Sequence, residues 1–127
     1  MIVLDASVLI AHLDDRDSHH LRARKLREES CNEPLGASAI TLAETLVAPA
    51  RAGRLEDARA ALEQLGVSEL SFGKGAPERL AQLRAGTARK LPGCCVILAA
   101  QEHAGTVASF DADLTRAARQ LGLETID

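Results

Sequence analysis

The opening stretch, Met1 to Leu13 (MIVLDASVLIAHL), constrains the fold more than any other part of the chain. Ile2, Val3 and Leu4 form a short, wholly apolar run that stops at Asp5, where a second apolar run with helical spacing begins. A strand without polar alternation reads as buried on both faces, as in a parallel sheet. A carboxylate at the tip of such a strand lies where open α/β sheets place their ligands, in the crevice beyond the strands' carboxyl ends. Asp5 is therefore the first candidate for chemistry. The plainer reading makes it the N-cap of the following helix, its oxygen accepting a backbone N–H.

Further along, Ala6–Leu13 carries Val8, Leu9 and His12 at helical spacing, and Asp17 or Ser18 is placed to cap a helix running to about Ser30. The Arg/Lys-rich surface of that helix reads as a solvated face, and His19 and His20 diverge as helix neighbours rather than pairing as metal ligands. Leu35–Ser38 is a second buried strand. Ser38 or Thr41 caps the next helix, with Glu44 about one turn in, and Pro49 kinks or ends it before the basic turn Arg51–Arg54. Leu55–Leu65 is amphipathic and closes at Gly66. Val67–Phe72 alternates as a third strand, and Glu78–Ala88 is a helix with Leu80 and Leu83 inward. Lys90–Gly93 breaks the pattern before Cys94–Ala104, a helix almost wholly apolar through Ala100 and hence buried against the sheet.

Gly105 closes that helix, and the opening arrangement then returns. Thr106–Phe110 is an apolar strand, Asp111 follows, a helix runs to Leu121, and Leu123–Ile126 is a last short strand. The order βααβααβααβαβ has no tight hairpin signal. It predicts one α/β domain over residues 1–127, a mostly parallel sheet of about five strands with helices on both faces.

Composition narrows the function. Only Phe72 and Phe110 are aromatic, so base stacking on an aromatic platform has almost no support. The formal charge of −3 gives no global basic footprint, so contact with phosphate requires a local basic patch or a metal ion. Cys31, Cys94 and Cys95 are an odd set with neither zinc-site spacing nor a signal segment, which predicts a reducing cytoplasm and cysteines acting as small apolar residues. The apolar run Cys94–Ala100 is too short to cross a membrane.

Asp5, Asp111 and Glu44 thus come from two strand ends and one helix start. Neighbouring parallel strands would bring them together, and acids converging without lysines repel one another unless a hard cation such as Mg²⁺ or Mn²⁺ takes their oxygens. Such an ion orients a water and neutralises a phosphodiester under attack. Convergence therefore favours chemistry over capping at Asp5 and Asp111. Arg51, Arg54, Arg89 and Lys90 are placed for backbone phosphates, against a plainer reading as solvated basic surface.

The segments IVLDASVLIA, TLAETLV, KLPGCCVILAA and ASFDADL, in this order across nearly the whole chain, resemble a PIN domain of the VapC type, the toxin of bacterial toxin–antitoxin pairs. The resemblance implies a PIN-like three-layer sandwich and a Mg²⁺- or Mn²⁺-dependent endoribonuclease. It also implies a homodimer, silenced by a cognate VapB-type antitoxin. It makes Asp5, Glu44 and Asp111 the acids, with Asp5 and Asp111 on the metal. Ser7 and Ser109 become small hydroxyl supports, and Asp113 falls where a further acid can occur.

One departure matters. Where the family segment reads Leu-Pro-Asp, this chain has Leu91-Pro92-Gly93, so the third acid is missing and hydrolysis should be much reduced. Either the chain keeps mainly a binding role, or an inactivating substitution removed a toxic activity; the retained Asp5, Glu44 and Asp111 favour the second. A phosphorylation receiver would need an acidic cluster after its first strand, and an aspartate-nucleophile phosphatase a second Asp where Ser7 stands. The stronger alternative is a non-catalytic PIN-like protein that binds RNA or an antitoxin.

Overall fold

A computed structural model describes residues 1–127. Five strands, β1 (Ile2–Leu4), β2 (Leu35–Ser38), β3 (Val67–Leu70), β4 (Thr106–Ala108) and β5 (Thr125–Ile126), form one all-parallel sheet in the order β3-β2-β1-β4-β5. Seven helices connect them: α1 (Ala6–Leu13), α2 (His20–Glu29), α3 (Ala39–Arg51), α4 (Leu55–Leu65), α5 (Ala76–Thr87), α6 (Leu91–Glu102) and α7 (Ala112–Gln120). The expected α/β architecture is the observed one.

Strand pleating sorts the core into two layers. Ile2, Leu4, Leu35, Ala37 and Ala108 face α1, α2 and α4 through Val8, Leu9, Ala23, Leu26 and Leu62. Val3 and Val107 face the other way, onto Val96, Ile97 and Ala100 of α6 and Leu114, Ala117 and Ala118 of α7. Cys94 to Ala100 are all buried, because α6 is enclosed between the sheet, α3 and α5. At Gly105 a side chain has no room: a Cβ there would stand 2.7 Å from Val3 Cγ2.

Several element boundaries differ from the sequence reading. The helix expected from Cys94 begins at Leu91, because Pro92 falls in its first turn, where the missing N–H costs nothing. It ends at Glu102, and the chain reverses through Ala104, at φ 48°, before Gly105. Ser38, rather than Thr41, caps α3, whose helical hydrogen bonds persist through Pro49 to Arg51. No side chain caps α2; Asp17 instead accepts the His19 N–H at 2.8 Å. β3 stops at Leu70, two residues short of Phe72, because its partner β2 ends at Ser38, opposite Leu70, where α3 begins. Leu80 and Leu83 are half-buried, and α5 contains no fully buried residue.

Candidate active site

β1 and β4 are neighbours whose following connections run in opposite directions, from β1 to β2 on one side and from β4 to β5 on the other, the arrangement that opens a crevice at the strands' carboxyl ends. Asp5 and Asp111 follow β1 and β4 at that end. The capping reading of these acids is the one observed directly. Asp5 is the N-cap of α1 and Asp111 that of α7, with Asp111 Oδ1 accepting the N–H groups of Asp113 at 3.0 Å and Leu114 at 3.3 Å.

What distinguishes Asp5 is its hydroxyl cradle. Ser7 Oγ donates to Asp5 Oδ2 at 2.6 Å, and Ser109 Oγ donates to the same oxygen at 2.8 Å. Each serine also accepts a backbone N–H from the loop after β4: Ser7 from Phe110 and Ser109 from Asp111, both at 3.0 Å. Ser109 is fully buried. These bonds tie the ends of two adjacent strands into one unit and leave Asp5 Oδ1 without a protein donor.

Glu44 lies in the second turn of α3, because the helix starts at Ala39, so the dipole of the first turn is not what governs it. Its carboxyl is pushed above the usual carboxylate range, first by burial and then by the negative charge of Asp5, which places these two acids within electrostatic reach of each other. On α6 the Cys95 thiol is raised by burial, then by Cys94 and by Glu44. At position 93, in the first turn of α6, a Cβ would sit 3.5 Å from Leu114 Cδ1 and 3.7 Å from Arg89 Cβ, ordinary contact distances, so there is space for a side chain at Gly93.

Asp113 is differently placed. Arg116 donates to it at 2.8 Å and Arg89 lies 3.8 Å away, so its charge is met by two guanidiniums. Arg54 pairs loosely with Asp57 at 3.8 Å. The donor chemistry of Asp5, Glu44 and Asp111, carboxylates with no lysine or arginine bonded to them, fits a hard cation with oxygen ligands. Its number is short: no group of three or more His, Cys, Asp and Glu side chains is placed to hold a metal ion. Elsewhere, the void lined by Leu4, Val8, His12, Leu26 and Leu35 has a volume of only about 10 Å³ and is too small for a substrate. Arg22 and His19 pack on Phe110 beside Asp111; in the sequence His19 is weighed only as a metal ligand, and nothing in the local pattern of α2 marks Arg22 out.

A five-stranded parallel sheet with a supported acid at the switch point defines a class of α/β proteins with a strand-end acidic site. The PIN domain family model matches residues 2–120, and the chain belongs to that family. Among solved structures, FitAcB from Neisseria gonorrhoeae shares the fold with a TM-score of 0.73 and 22% identity, over 100% of this chain and 97% of that one. VapBC-1 from nontypeable Haemophilus influenzae has a TM-score of 0.71 and 18% identity, over 100% and 98%. VapC20 from Mycobacterium tuberculosis, described as a sarcin–ricin loop cleaving toxin, has a TM-score of 0.66 and 18% identity, over 92% and 95%. No curated protein matches the sequence. No helix is long and apolar enough to cross a membrane.

Proposed function

We propose that residues 1–127, as a single PIN domain, are the toxin component of a toxin–antitoxin pair, built as a Mg²⁺- or Mn²⁺-dependent endoribonuclease whose hydrolysis is curtailed by Gly93. The observation that carries this reading is the doubly supported Asp5, with Glu44 near it and an open side-chain position at Gly93. Structures described as VapBC-1 and as VapC20, a sarcin–ricin loop cleaving toxin, share the fold, which supports this reading and a VapB-type antitoxin as partner; a homodimer is what the family resemblance adds.

In this reading Asp5 and Asp111 would hold the cation. When bound, such an ion offsets charge on the phosphate and lowers the pKa of its water. Ser7 and Ser109 fix the Asp5 carboxylate, so it needs no reorientation when substrate arrives. Glu44 orients the attacking water and takes its proton, a task suited to a carboxyl whose affinity for protons is raised. A water oxygen–phosphorus bond forms, one phosphorus–oxygen ester bond breaks, and the products are a phosphate monoester and a hydroxyl. Asp113, paired with Arg116 and Arg89, steadies the start of α7.

The test is cleavage of total RNA by this chain and by Gly93→Asp, with Mg²⁺ and with chelator. Restoring a carboxylate ligand should raise metal-dependent cleavage by at least about 10-fold, and Asp5→Ala in the same background should abolish it. No gain from Gly93→Asp would refute the reading. The second reading, a non-catalytic PIN-like protein that binds RNA or antitoxin, is favoured by the shortfall of ligands. Absence of Mn²⁺ binding at saturation, for both forms, would select it.

A further inference from the structure

Phe110 stands between Ser109 and Asp111, and its N–H is held by Ser7 Oγ, so its backbone is fixed relative to the acid site. Arg22 Cζ lies 4.8 Å from the centre of that ring. The His19 ring packs on it as well, with centroids 5.0 Å apart and planes tilted by 35°. Both side chains come from the beginning of α2, which brings a cationic edge to the rim of a carboxylate site. A guanidinium over an aromatic face is steadied by the ring's quadrupole.

The charge on this edge is unspent. None of the ion pairs in the chain uses Arg22, Arg24 or Arg27. Three guanidiniums without acidic partners on one helix stand out in a chain of net charge −3. The His12 imidazole, beneath the same helix, is lowered by burial and then by the positive charges of His20, Arg27 and Arg24, in keeping with these unpaired arginines.

We infer that Arg22, steadied on Phe110, binds a backbone phosphate of single-stranded RNA as it enters the strand-end site, with the exposed His19 ring offering a face to a neighbouring base. The inference rests on the proposed ribonuclease reading and adds to it a substrate-positioning edge. Carboxylates alone repel a polyanion, whereas a guanidinium beside them supplies the attraction, and its planar fork matches a phosphate's oxygens. Single-stranded RNA is recognised by stacking of splayed bases on His or Arg planes, and His19 has 45% of its side chain exposed. An acidic peptide would satisfy Arg22 and leave the His19 face unused. Phe110 is a positioning residue in this arrangement.

Fluorescence anisotropy with a short labelled single-stranded oligoribonucleotide, in chelator so that no cleavage intervenes, tests it. Arg22→Ala should weaken binding about 10-fold and reduce the slope of log affinity against log salt by about 0.7, the loss of one phosphate contact. Arg22→Lys keeps the charge without the fork and should fall between. Phe110→Leu should weaken binding while leaving the salt slope unchanged. Arg84→Ala, removing an exposed arginine on α5, should do neither. Equal effects of Arg22→Ala and Arg84→Ala, no binding of the oligonucleotide by the unaltered chain, or an Arg22→Ala that spares RNA while weakening an antitoxin complex would each overturn the assignment. If Gly93→Asp gains no nuclease activity while the Arg22 effects on binding stand, the catalytic reading fails and the binding edge survives. If Gly93→Asp cleaves RNA and Arg22→Ala changes neither cleavage nor binding, the edge alone fails.

Discussion

Ser109 Oγ lies 2.8 Å from Asp5 Oδ2, joining the end of β4 to the end of β1 between residues 104 positions apart in the chain. The same hydroxyl accepts the Asp111 N–H, so one buried atom sets the backbone of one strand-end acid and the side chain of the other. Ser109→Ala leaves a buried N–H and a carboxylate oxygen each short of a partner. Urea unfolding should show a loss of about 1–3 kcal/mol. Ser7→Ala, at a less buried position with the same two kinds of bond, should cost less, and the double variant should fall short of the sum because both serines share Asp5 Oδ2.

Gly105 and Gly86 should respond in opposite ways to alanine. At Gly105 the new methyl would meet Val3 Cγ2 at 2.7 Å and the Met1 carbonyl oxygen at 3.4 Å, so Gly105→Ala should destabilise by about 1–3 kcal/mol. At Gly86, inside α5, nothing lies within 4 Å of the new carbon. Gly86→Ala should therefore stabilise by about 0.5–1 kcal/mol, through helix propensity alone. Thermal melts of the two variants read the difference in sign.

Glu102, with 12% of its side chain exposed, clamps α5 to the end of α6. Its carboxylate accepts the Gly73 N–H at 2.9 Å and Arg79 Nη1 at 3.0 Å. Because α5 buries no residue fully, this clamp carries an unusual share of its attachment. Glu102→Ala should speed amide hydrogen exchange through residues 73–87, with a global cost of about 1–3 kcal/mol. Exchange unchanged in that segment would show that Leu80 and Leu83 suffice to hold the helix.

His12 gives a pH dependence of definite sign. Its folded pKa is lowered, by burial first and then by His20, Arg27 and Arg24, so the unfolded chain binds the proton more readily. Stability from this group is complete above the unfolded value of 6.5 and falls as pH drops below it, levelling off once the folded form is also protonated. The stability of the native chain minus that of His12→Gln should therefore decline between about pH 7 and pH 5. A flat difference, measured by urea unfolding across that range, would exclude the effect.

Much of this arrangement was legible in the residues. The apolar runs at Ile2–Leu4 and Thr106–Ala108, each followed by an acid and a helix, announced buried parallel strands with carboxylates at their tips, because strand and helix periodicities are local properties. Helix limits were less legible. Leu91-Pro92-Gly93 read as a break, yet proline is at home in a first turn, and only the position of α6 against the sheet shows that the helix has already begun. The residues leave Ser38 and Thr41 as alternative caps for the helix that carries Glu44, and only the structure gives the cap to Ser38.

The sequence by itself determined the class of fold, the elements and their order, and the acids at two strand ends. Tertiary structure alone decided that β1 sits between β2 and β4, and hence that Ser109 reaches Asp5, that position 93 faces Leu114, and that Arg22 lies over Phe110. The reason is physical. Periodicity tells each segment which face to bury, but the choice of neighbour is made by packing and backbone pairing between segments far apart in the chain, which no local pattern records.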